Sequence, residues 1–145
     1  KFMKRKSKQI PVYSFFNENL EFSGKNIELY ADEREYDDLM DFLLETDANN
    51  KPIRIERFRK VLVEIFSLRY NKDLYDKPKV SKKSKDVTIM KFKKHRGSNW
   101  RILCKEFISK GKKIVMIVLI DKKSQGIDKK QKQKMEAIGA YEYDF

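Results

Sequence analysis

One cysteine and one histidine stand in a chain of 145 residues. A lone Cys104 cannot close an internal disulfide. With His95 as the sole imidazole, the Cys and His ligands of a zinc site are missing too. The residues therefore imply no metal and no other cofactor. A single thiol suits a reducing cytoplasm. Long apolar runs are also absent: none approaches the roughly 18 residues that cross a bilayer. The longest, residues 114–120, has the length of a strand and lysines on either side. There is no secretory signal pattern at the N-terminus. Neither a P-loop nor G-x-G-x-x-G occurs, so no phosphate-cradling glycine loop is present. No membrane association is expected.

Acidic residues are scarce where basic ones abound. The formal net charge is +12, yet residues 23–50 hold nine acids against two bases. Residues 78–145 hold nineteen bases against seven acids. Such asymmetry is the electrostatic footprint of a polyanion-binding half. A merely solvated, lysine-rich surface is the alternative reading of the same charges.

What the chain does have is β-forming sequence between 86 and 123. Three runs rich in β-branched and aromatic residues, 87–93, 100–107 and 114–120, are separated by short Gly- and Lys-containing turns. They predict an antiparallel meander. Period-two alternation puts Lys91 and Lys93 on one face of the first strand. Upstream, 27–30 is a further strand candidate. Tyr36, Leu39, Met40 and Leu43 recur at helical spacing within 33–46. Asn50 is placed to cap a second helix with Pro52 in its first turn, running to about Tyr70. Ile55, Phe58, Leu62 and Ile65 line its core face. The short link between the two helices predicts a hairpin. Residues 71–85 read as a polar, lysine-rich loop. Asp128 with Gln131 three residues on predicts the start of a basic C-terminal helix with a thin apolar face, Met135 and Ile138. Gly139 weakens or ends it, and the aromatic tail suits a last short strand. Residues 1–24 read as a basic extension, with its first cluster a flexible arm, and 25–145 as the domain. The expected class is α+β. An antiparallel sheet, a three-stranded meander plus an N-terminal strand, carries a helix hairpin on one face and a basic cleft on the other.

No metal-binding or classical nucleophilic constellation is evident. His95 with Cys104 is a weak nucleophile pair, since a mid-strand cysteine is more often a small core residue. A cationic site can still act on RNA. Attack by the ribose 2′-hydroxyl needs that hydroxyl deprotonated, the phosphate oxygens neutralised and the 5′-oxygen protonated. Lysine and arginine supply the electrostatic part of this.

At these residues the chain resembles a family. The element order, with KFKKHRGSNWRILC and IVMIVLIDKK, is similar to the RelE/ParE superfamily of bacterial toxins, including HigB-like members. The likeness covers about residues 25–145. It rests on an aromatic-Arg-aliphatic core (Trp100, Arg101, Ile102, Leu103), a hydrophobic strand ending in Lys122 and Lys123, and two alternating lysines, Lys91 and Lys93. The resemblance implies a RelE-like fold and the toxin of a type II toxin-antitoxin system. Such a toxin is an mRNA interferase, an endoribonuclease that works with the ribosome and is neutralised by an antitoxin protein. By position, Arg101 would stabilise the transition-state phosphate, Lys123 would take the place of the family's following basic residue, and Lys91 or Lys93 would assist the 2′-hydroxyl. Lys82, Lys83, Lys94, His95, Arg96, Lys122, Lys129 and Lys130 are the RNA-binding candidates. A non-catalytic RNA- or protein-binding module and a gyrase inhibitor of ParE type stay open. So does a structural role for Arg101, paired with Glu106 or Asp121.

Overall fold

The structure, a computed structural model, describes residues 4–15, 26–92, 99–121 and 127–145. Its described elements are β1 (Arg5–Ile10), β2 (Ile27–Asp32), α1 (Tyr36–Leu44), α2 (Ile55–Phe66), β3 (Tyr75–Asp76), β4 (Val87–Phe92), β5 (Trp100–Ile108), β6 (Lys112–Asp121), α3 (Lys129–Gly139) and β7 (Tyr143–Asp144). Short 3-10 turns occupy Val12–Phe15 and Lys82–Ser84. The class is α+β. All seven strands join one sheet in the order β3-β4-β5-β6-β2-β1-β7. β4, β5 and β6 pair antiparallel in chain order. β2 runs parallel to β6, and β1 runs parallel to β7. The sheet is therefore mixed, which corrects the expectation of an antiparallel one.

Both faces of the sheet are covered, and this explains why residues 114–120 are apolar without alternation. On one face, α1, α2 and the Val12–Phe15 turn bury Leu39, Leu43, Phe58 and Leu62 against Met90, Ile102, Cys104 and Met116. On the other, Met135 and Ile138 of α3 and Tyr143 pack on Val87, Ile89, Leu103 and Val115. The second face thus carries a core under α3 rather than an open basic cleft. A bulge helps to fill it. Leu103 pairs with Val118 and Cys104 with Met116, so Ile117 is the extra residue of β6. Ile117 and Val118 then both join this second core.

The N-terminal segment also departs from the reading of a flexible arm. Arg5–Ile10 forms a strand between β2 and β7. Arg5 pairs with the buried Asp32 at 3.0 Å, and Phe15 meets Phe58 edge-on at 5.0 Å. Both helices of the first face are shorter than expected. The Asp47 carboxylate accepts from the amides of Asn49 and Lys51. Asn50 turns left-handed (φ 58°) and Pro52 bridges Thr46. Asn50 and Pro52 therefore build the loop, and α2 starts at Ile55. It stops at Phe66 because Leu68 is left-handed (φ 57°). Of the described residues, no helix is long and apolar enough to cross a membrane.

Candidate nucleic-acid interface

Lys91 and Arg101 are cross-strand partners on β4 and β5, so both side chains lie on the α3 face. Trp100 and Ile102 face the other way, as alternation predicts, and Trp100 packs edge-on against Phe42 at 5.5 Å. The surroundings of the pair are not those expected. Arg101 is only 3% exposed. Its Nη1 faces the Gln131 Oε1 of α3 at 3.5 Å. Burial pulls its pKa below the ordinary arginine value, while the charges of Asp76 and Asp128 oppose that. Lys91 forms an ion pair with Asp76 at 3.2 Å. Glu106, suggested by the sequence as a structural partner for Arg101, is engaged on the opposite face. Asp121 accepts from the Asn99 amide at 3.3 Å. Lys93, Lys94, His95, Arg96, Lys122 and Lys123 lie outside the described residues.

Lys82, Lys83, Lys129 and Lys130 are all exposed, and α3, which carries the last two in its first turn, docks through its C-terminal end on the Lys82–Ser84 turn. The contact is close: Gly139 lies against the Lys83 carbonyl, and the Ser81 hydroxyl donates to Glu136 at 2.7 Å. Lys105 ties down the same C-terminal end of α3, donating to the carbonyls of Gly139 and Tyr141 at 2.8 and 2.9 Å. Lys79 and Lys85, beside the Lys82–Ser84 turn, and Lys132 and Lys134 of α3 are exposed too; sequence reasoning left them out of the site. None of these eight lysines forms an ion pair with a described residue, whereas Lys77, Lys91, Lys112 and Lys113 each do. Lys129 and Lys130 even occupy the first turn of α3, where the helix dipole disfavours cations. The Asp128 cap, accepting from the Gln131 amide at 2.8 Å, offsets part of that cost. The Gln131 side chain faces Arg101.

A second polar cluster was not legible in the sequence. Glu106, 5% exposed, accepts from the hydroxyls of Tyr70 and Tyr75 at 2.7 and 2.6 Å. Lys77 and Lys112 approach the same carboxylate at 3.2 and 3.3 Å. Thr88 donates to the Tyr75 oxygen at 2.9 Å. The carboxylate is thus fully partnered, as burial requires. Near it, burial pushes the Cys104 thiol far up. A thiol held protonated inside the core is no nucleophile, so the Cys104 half of the pair with His95 fails. Among the described residues, no group of three or more His, Cys, Asp or Glu side chains could hold a metal ion.

No family model matches this chain, and no curated protein or solved structure matches it either. The reading of its function rests on its own residues.

Proposed function

We propose that the protein binds RNA and acts as an mRNA interferase of the toxin type, working on translated mRNA at the cytoplasmic ribosome and restrained by an antitoxin protein. One observation carries the reading: the uncompensated lysine surface of residues 79–85 and α3 adjoins the Lys91–Arg101 pair, joined to it through Gln131. Exposed cations without carboxylate partners attract a phosphate backbone and release its counterions. In the cleavage step, the Arg101 guanidinium would meet the non-bridging oxygens as charge grows on them, and Lys91 would favour loss of the 2′-hydroxyl proton. For a phosphate to reach Arg101, Gln131 must give way.

The test is inducible expression in a bacterial host without the partner protein, with growth and mRNA integrity followed together. Growth arrest with cut mRNA is expected. Arg101→Ala should slow cleavage by about 10²–10³-fold while its thermal melt shows a folded protein. Normal growth at verified levels of folded parent overturns the toxin reading. Arrest by folded Arg101→Ala as strong as by the parent removes Arg101 from the site. A non-catalytic RNA-binding module is the second reading. It is favoured by the burial of Arg101, and its signature is RNA binding without cleavage.

A further inference from the structure

Two cavities of about 640 and 630 Å³ open beside the Glu106 cluster. Both have Lys77 and Asp86 in their walls, so they form one furrow. It runs from Tyr70 and Phe145, past Lys77, to Lys82 and Lys85. Seven lysines and three carboxylates line it. Two of those carboxylates, Glu106 and Asp86, are already paired with Lys77 or Lys112. The excess is positive, and at the far end it belongs to lysines that form no ion pair with a described residue.

Tyr70 stands at the other end, 47% exposed. It is held rigidly. Its hydroxyl donates to Glu106 at 2.7 Å and accepts from Lys112 at 3.3 Å. Its ring stacks on the buried Tyr75 with centroids 5.7 Å apart and planes 20° apart. The Lys77 and Lys112 ammonium groups lie 5.4 and 5.3 Å from its centroid. Burial and the bond to Glu106 raise its pKa, so the phenol stays neutral. Phe107 and Phe145, whose rings are 5.4 Å apart, border the same cavity, and Phe145 is 45% exposed. Exposed, immobilised aromatic rings beside a cationic track suit a polymer that offers both base faces and phosphates. A single strand offers both, while a duplex hides its base faces in the stack.

We propose that this furrow is the track for single-stranded RNA, with a base stacked at Tyr70 and phosphates passing Lys77, Lys79, Lys82 and Lys85. The inference rests on the RNA reading above and adds the form and path of the RNA. Binding of the chain is measured by fluorescence anisotropy with an unstructured RNA of about ten nucleotides and with a blunt-ended RNA duplex. The parent should prefer the single strand. Tyr70→Leu should weaken single-strand binding about tenfold and leave duplex binding within about twofold, since phosphate contacts are sequence-independent and do not need the ring. Tyr70→Phe, which keeps the ring, should retain most of the affinity. Lys79→Gln, Lys82→Gln and Lys85→Gln together should reduce the salt slope by about 2, at roughly 0.7 per lost phosphate contact. Ultraviolet cross-linking of the unaltered parent gives a reading that no folding defect can disturb: the peptide carrying Tyr70 should cross-link. Unchanged single-strand affinity in folded Tyr70→Leu, or cross-links confined to other peptides, overturns the furrow and leaves the RNA reading standing. A parent that binds neither RNA overturns both.

Discussion

A Cβ at Gly139 would lie 1.7 Å from the Lys83 carbonyl oxygen. The last turn of α3 and the Lys82–Ser84 turn therefore touch backbone to backbone, and only glycine permits it. This contact sets the two halves of the lysine surface at a fixed spacing. It also keeps α3 over Arg101.

Gly139→Ala tests the contact. Alanine is favoured over glycine in a helix by about 1 kcal/mol, but here the added methyl meets backbone, which cannot rotate away. Overpacking of this kind costs about 1–3 kcal/mol, so the net effect should be destabilising. Less the helix gain, the loss reaches at most about 2 kcal/mol, which would lower the melting temperature by up to about 6 °C for a chain of this length. A melt unchanged or raised, followed by circular dichroism, would show that α3 does not depend on this contact.

Glu106→Gln should cost about 3 kcal/mol, because it removes the anion of a buried network and leaves Lys77 and Lys112 facing each other. Denaturant unfolding measures this. An effect below about 1 kcal/mol would mean that the network is not a stabilising unit.

The same network predicts a dependence on alkaline pH. Burial alone would lower the Lys77 pKa, but the Glu106 charge and hydrogen bond override it and raise it from 10.5 to about 12. A raised folded-state pKa means that the proton stabilises the fold. The contribution of Lys77 is complete below pH 10.5 and fades as pH climbs from there to 12. The stability difference between the parent and Lys77→Met should shrink over that window. A difference that stays constant across it would contradict the coupling to Glu106.

Cys104 is 0% exposed and its thiol is held protonated by burial. A water-soluble thiol reagent at neutral pH should modify it only as fast as the protein opens, and at once in denaturant. Rapid labelling of the native protein would place the thiol outside the core.

Local physics was readable along the chain. β-branched and aromatic runs mark β4, β5 and β6, because period-two packing is a property of neighbours in sequence. The Asp128 cap is another such case, since the side chain and the amide it bonds are three residues apart. Alternation also set Arg101 and Trp100 on opposite faces. Other features depended on which distant segments meet. Seating β2 parallel beside β6 brings together Leu29 and Ile114, and no local pattern specifies that choice. The Glu106 cluster needs Tyr70, Tyr75 and Lys77, which come to it from 29 to 36 residues away in sequence. The fate of Arg101 shows the division most plainly. Sequence alternation decided the face on which it stands. Whether that face met solvent or another layer was decided by α3, thirty residues further on. Met135 and Ile138 have only the apolar surface of the sheet in which to bury themselves, and covering it closes over the arginine.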